Sequence, residues 1–327
     1  MASHTPSVKT LFHFFFFVFS AIGLAQAPKQ APPVNLIEQI VQTGEASQPE
    51  IKLLLRLPDG HTAETPTAKG VLSFCTWEME DASLRKRLLN DSDALVLYAK
   101  RHQLAILTWN TATLWQTGKS FNQISRSERQ AQDQTFDAVA RAWERGVKQL
   151  CKDHALPQTG FLLYGISRGA HWSGRLALRT PETFLAVHIH VANSYEKALG
   201  SARGPLWLVS SGDLDIGRDN ALAFYRLCQS KGFPILFKVA NGLGHATSPE
   251  IERLRDAFFD YALETKQRAG TEPPSVVMLD DLKRAALTGD LLTQEVYRGP
   301  EADIVPVAQR VPLPDVKLAK AWGFLRK

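Results

Sequence analysis

Seven short apolar runs alternate with stretches whose apolar residues fall at helical spacing. The runs are Ile51–Leu57, Val71–Cys75, Leu104–Trp109, Phe161–Tyr164, Phe184–Val191, Leu206–Ser210 and Ile235–Val239. Several are almost continuously apolar, the mark of a parallel strand covered on both faces. Between them, Phe136, Val139, Ala140, Trp143, Val147, Leu150 and Cys151 make one helical stripe. Ala221, Leu222, Phe224, Tyr225, Leu227 and Cys228 make another, stopped by Gly232. Ser248-Pro249 opens a third, carried by Ile251, Leu254, Phe258 and Tyr261. This order predicts an α/β fold: a doubly wound, mostly parallel sheet with helices on both faces.

Within that frame one pentapeptide stands where chemistry needs it. Gly165-Ile166-Ser167-Arg168-Gly169 follows the run Phe161–Tyr164 and precedes a helical segment, Ala170 through Leu178. A serine at the tip of a sharp strand-to-helix turn has its hydroxyl lifted clear of the sheet and set at a helix N-terminus, where negative charge is favoured. Glycines two residues either side leave room for the turn.

A serine nucleophile needs a base to take its proton and an acid to orient that base. Past the strand at Leu206–Ser210 lies Gly212-Asp213-Leu214-Asp215. Asp215 is the first candidate for the acid, Asp213 the second, and Asp219, read as a helix N-cap, the third. After the strand Ile235–Val239 comes the loop Asn241-Gly242-Leu243-Gly244-His245. A histidine on a glycine-rich loop past a strand end suits a base better than a packing residue. His188 and His190 alternate on one strand and could form a metal pair, but no third ligand is spaced to join them, so they read as packed strand histidines. The oxyanion that forms on attack needs two N–H donors. Arg168 supplies one, and Trp77, or else Thr76, after the strand Val71–Cys75, supplies the other. Trp77, Trp109, Asn110 and Asn193 sit at strand ends as candidate pocket walls.

These motifs, in this order behind these strands, resemble the α/β-hydrolase superfamily over roughly residues 50–265. The general likeness is to secreted esterases of the feruloyl-esterase-like and polyester-depolymerase-like kinds, and to peptidase domains of the prolyl-oligopeptidase type. The resemblance implies a Ser167–His245–Asp215 triad with Arg168 and Trp77 at the oxyanion, and no cofactor or metal. One departure is that Cys75-Thr76 stands where a His-Gly pair is common. The span from Val191 to Leu206 leaves no room for the large helical lid of many relatives, so an open mouth suited to bulky or polymeric esters is expected. The first reading is a secreted serine hydrolase acting on a small-molecule or polymeric ester through an acyl-enzyme. The second is a serine peptidase with the same triad. The third is a catalytically silent binding protein on the same fold.

The ends of the chain carry other expectations. Leu11 to Leu24 is an apolar block followed by Ala25 and Ala27, which reads as a signal peptide over residues 1–25 and a secreted or periplasmic protein. The block is short for a membrane span, so no stable membrane insertion is expected once it is cleaved. Residues 26–49 read as a linker and N-terminal segment, 50–265 as the catalytic domain, and 266–327 as a C-terminal extension packed on it. Pro273-Pro274, Pro300, Pro306, Pro312 and Pro314 break up that extension, which predicts an extended strap with a short helix around Asp280–Leu287. Net charge is +5, but the basic residues form no block, so a nucleic-acid partner is not expected. Cys75, Cys151 and Cys228 read as buried small hydrophobes, with one disulfide between two of them as the lesser alternative.

Overall fold

The computed structural model describes residues 36–75, 81–110, 125–196 and 204–326. The segment read as a signal peptide lies outside them. The main sheet has eight strands, in the order β1-β2-β4-β3-β5-β6-β7-β8. They are β1 (Leu36–Glu45), β2 (Gln48–Arg56), β3 (Gly70–Cys75), β4 (Leu104–Trp109), β5 (Phe161–Ile166), β6 (Phe184–His190), β7 (Leu206–Gly212) and β8 (Ile235–Ala240). From β4 across to β8 all neighbours are parallel, and β1 and β2 continue the sheet antiparallel. Every residue of β3, β4, β6 and β7 is buried, which is why these strands read as unbroken apolar runs. β1 falls in the segment read as linker and N-terminal segment. It is an edge strand, half exposed along its length.

The direction of the crossovers places the helices. The chain steps outward from β3 to β4 through α1 (Asp81–Leu89) and α2 (Ala94–His102). It then reverses, running β5, β6, β7, β8 with α4 (Arg168–Arg179) and α5 (Arg218–Ser230) between strands. Right-handed crossovers of opposite sense lie on opposite faces. α3 (Arg126–Asp153) joins α4, with Phe136 stacked on Trp172 at 4.7 Å. α6 (Pro249–Ala269) joins α2, with Tyr98 Oη donating to Asp260 Oδ1 at 3.1 Å. Ser248 caps α6 by accepting from Ile251 N, and Pro249 takes the first position, where its missing N–H costs nothing. The reversal falls between β3 and β5, so the C-terminal ends of these two strands flank the crevice where a doubly wound sheet binds its ligands. Cys75, Cys151 and Cys228 are all buried, and no disulfide joins them. No helix among the described residues is long and apolar enough to cross a membrane.

The C-terminal segment is not the extended strap expected. It forms α7 (Pro274–Lys283), α8 (Val316–Trp322) and a second sheet, in the order β11-β9-β10-β12. Its strands are β9 (Leu287–Asp290), β10 (Glu295–Arg298), β11 (Arg310–Leu313) and β12 (Phe324–Leu325). The prolines read as breakers take positions that tolerate them: Pro274 opens α7, and Pro312 lies in β11, an edge strand. This segment also covers the outer edge of the main sheet. Trp322 is fully buried and its indole N–H donates to Phe237 O on β8 at 2.7 Å. Lys238, 1 % exposed, donates to Gln294 Oε1 and Trp322 O at 2.5 Å each and pairs with Glu250 at 2.8 Å. A buried ammonium is tolerable only with its donors satisfied in this way.

Candidate active site

Ser167 closes β5 and precedes α4 with φ 56° and ψ −124°, a conformation that side chains rarely adopt. It is held there from both sides. Its N–H donates to His190 O at 2.9 Å, and His171 N donates to its carbonyl at 3.2 Å. Gly165 is required by the same turn, since a Cβ there would lie 2.6 Å from Ala170 Cα and from Gly169 O.

The structure brings three of the residues singled out in the sequence into one line. Ser167 Oγ lies 2.7 Å from His245 Nε2, and His245 Nδ1 lies 3.2 Å from Asp215 Oδ1. Asp215's carboxylate is buried, and it also accepts from Gly217 N at 3.0 Å and Ser211 Oγ at 3.3 Å. The His245 side chain is 37 % exposed, so the line runs from the interior to an accessible serine. Asp213, two residues before the acid, turns the other way: its Oδ1 accepts from Leu243 N at 3.1 Å and so fastens the histidine loop. Asp219 is a surface partner of Arg218, and the residue that precedes α5 is Gly217. The histidine loop passes so close to the end of β7 that a Cβ on Gly212 would collide with Leu243 O.

Arg168 is the first residue of α4, so its N–H belongs to the turn where the helix dipole favours a developing anion. Trp77, the expected second donor, and Thr76 lie outside the described residues. The strand leading to them ends at Cys75, paired with Gly165, so it arrives beside the serine turn. Trp109 is not a pocket wall. It is buried against Trp143 at 5.7 Å because its position on β4 faces α3. Asn110 donates to Asp81, and the carbonyl of Asn193 accepts from Asn220.

His188 and His190, which the sequence presents as packed strand histidines, make contacts that go beyond packing. Both rings are fully buried and both reach Ser210 Oγ, while His190 Nε2 lies 2.9 Å from Ala246 O, next to His245. Their alternation on a strand was visible in the sequence, but nothing there showed what they touch. Burial pushes His190 down to about 4 and His188 well below its ordinary value. Asp215 and His245 face His190, and Arg255 faces His188. Both folded values lie below the unfolded one of about 6.5. As pH falls, the unfolded chain therefore takes up protons first. The stabilisation is complete above about pH 6.5 and is lost as pH falls through the folded values. His190 alone accounts for a loss of about 3 kcal/mol by pH 4, a window above that of the carboxylates. Thermal unfolding of wild type and His190→Gln between pH 4 and 7 should show a steeper acid-side loss in wild type. Parallel curves would contradict it.

No family model matches the sequence, and no curated protein does. Solved structures do resemble it. A fungal esterase from Rhizomucor miehei superimposes with a TM-score of 0.52 at 13% identity, over 73% of this chain and 85% of that one. Vibralactone cyclase gives 0.51 at 12% identity, over 74% and 81%. A protein described as a dipeptidyl aminopeptidase IV from Bacteroides ovatus gives 0.51 at 13% identity, over 71% of this chain and 36% of that one. At such identities the likeness concerns the fold, and the fold is that of the α/β-hydrolases.

Proposed function

We propose that this chain is a serine hydrolase that cleaves carboxylic esters through an acyl-enzyme. The observation that carries the reading is the unbroken line from Ser167 Oγ through both nitrogens of His245 to the buried carboxylate of Asp215. Asp215 accepts from Nδ1–H, so Nε2 is bare and takes the Ser167 proton as Oγ attacks the ester carbon. The resulting oxyanion is met by the N–H of Arg168 and, on this reading, of Trp77. Collapse breaks the carbon–oxygen bond, and His245 returns the proton to the departing alcohol. Water then attacks the acyl-serine, His245 takes its proton, and collapse restores the serine hydroxyl and releases the acid. The buried carboxylate stabilises the imidazolium present in both half-reactions.

Esters are preferred to amides because the esterase neighbour matches over 85% of its own length and the aminopeptidase over only 36% of its own. The same reading takes residues 1–25 as an export leader of a secreted or periplasmic protein, which the mass of exported protein checks. The functional test is a panel of p-nitrophenyl esters and aminoacyl-nitroanilides, run beside labelling with a fluorophosphonate. Ester cleavage with labelling of Ser167 is expected. Anilide cleavage without ester cleavage would make the chain a peptidase. No labelling of folded protein would leave a binding protein.

A further inference from the structure

The chemistry just described leaves two fully buried histidines unused. His188 and His190 lie two residues apart on β6, and both point at one hydroxyl on the neighbouring strand: His188 Nε2 is 2.7 Å and His190 Nδ1 is 2.9 Å from Ser210 Oγ. The remaining nitrogen of His190, Nε2, is 2.9 Å from the carbonyl oxygen of Ala246. One arrangement of hydrogens satisfies all three of these contacts. A carbonyl only accepts, so His190 Nε2 carries a hydrogen. Burial keeps the ring neutral, so its Nδ1 is bare and accepts from the Ser210 hydroxyl. With its own hydrogen spent, Ser210 Oγ accepts from Nε2–H of His188. Nδ1 of His188 meets no partner among the described residues, and there the chain of bonds ends. All three hydrogens point from the sheet interior toward Ala246.

Resting on the hydrolase reading, we propose that His188, Ser210 and His190 are positioning residues for the triad: a directed relay that fixes the Ala246 carbonyl and through it the ring of His245. Buried polar groups cost free energy that apolar strand residues at the same places would not. The relay places them under the one loop whose geometry the reaction depends on. Ser167 and Asp215 orient the His245 ring only if its backbone is already placed. On the far side of the loop Leu243 is held by Asp213, with N–H donating to Oδ1 at 3.1 Å. On the near side Thr247 bonds to buried Tyr164, and Ser248 caps α6. Ala246 lies between these holds, immediately after His245. Its carbonyl is fixed by His190. Ser210 in turn fixes which nitrogen of His190 carries the hydrogen, and a ring free to exchange tautomers would offer Ala246 a donor only part of the time.

The test uses the full chain and reads both kinetics and nuclear magnetic resonance. In wild type, nitrogen shifts should place the hydrogen of His188 and of His190 on Nε2, and a downfield proton should report Nδ1–H of His245 bound to Asp215. In His190→Leu the kcat should fall about 10²-fold, the effect of an ångström-scale misplacement, with KM unchanged and the His245 proton lost or broadened. His190→Gln keeps a donor toward Ala246 and should recover most of the kcat and the His245 proton. Ser210→Ala should fall between the two variants. The proposal is overturned by a folded His190→Leu with the kcat and His245 proton of wild type, or by a wild-type His190 hydrogen on Nδ1. If wild type cleaves neither ester nor anilide, the hydrolase reading falls, and the tautomers and the His245 proton still decide the positioning role. If the leucine variant does not fold, the glutamine and alanine variants with the wild-type tautomers decide it.

Discussion

Ser167→Ala is expected to reduce kcat on an ester by about 10⁶-fold. A single deletion costs that much because Ser167, His245 and Asp215 act as one unit: with Oγ gone, the proton on its way to Nε2 and the bond to the ester carbon vanish together. Some activity above the background should survive, about 10³-fold or more, since Arg168 N–H and the binding surface remain. Folding should be almost untouched. Alanine at φ 56° carries the same backbone strain as serine, and only one hydrogen bond to a part-exposed histidine is lost. Ser167→Gly separates strain from chemistry. It should lose activity equally yet melt higher, because glycine removes a strain of about 1–3 kcal/mol. Kinetics, fluorophosphonate labelling and thermal unfolding of the two variants check this. Labelling that persisted in either variant would place the nucleophile elsewhere.

The sequence showed this turn plainly because each of its parts has a local cause: a doubly buried strand, a glycine with no room for a Cβ, and an amphipathic helix. The same holds for β4, expected and found at Leu104–Trp109, where both faces are covered and every residue is apolar or shielded. β1 was hidden for the opposite reason. Its inward positions include Gln39 and Thr43, while Ile40 points out and is 51 % exposed, so burial and hydrophobicity disagree along the strand. The C-terminal sheet was hidden because its strands run for four residues or fewer and take their stability from docking on β8, a long-range contact that no local pattern records. In the site, Ser167 and His245 were legible because each follows a strand on a turn built with glycine. The choice between Asp213 and Asp215 depended on which way two carboxylates on one turn point. The part played by His190 depended on a contact 56 residues distant in sequence.

That choice yields the second large effect. Asp215→Ala is expected to lower kcat by about 10⁴-fold, while Asp213→Ala stays within about tenfold of wild type. The two carboxylates sit on one turn and share the same loop, yet they do different work. Asp215 is buried and its Oδ1 accepts from His245 Nδ1, so its loss frees the ring to carry its hydrogen on Nε2, where it blocks proton uptake from Ser167. Its loss also leaves the imidazolium formed on attack without a counter-charge. The Asp213 carboxylate accepts from the backbone of Leu243, and its loss loosens the loop without changing the tautomer. Asp215→Asn should lie between wild type and Asp215→Ala. Ser211 Oγ, now donating to Oδ2, can instead accept from the new amide N–H, which leaves the amide oxygen facing His245 and removes only the charge. The rates should therefore rank Asp213→Ala, Asp215→Asn, Asp215→Ala in falling order, measured on one ester with fluorophosphonate labelling alongside. Labelling that survives in Asp215→Ala and disappears in Asp213→Ala would transfer the role of the acid to Asp213.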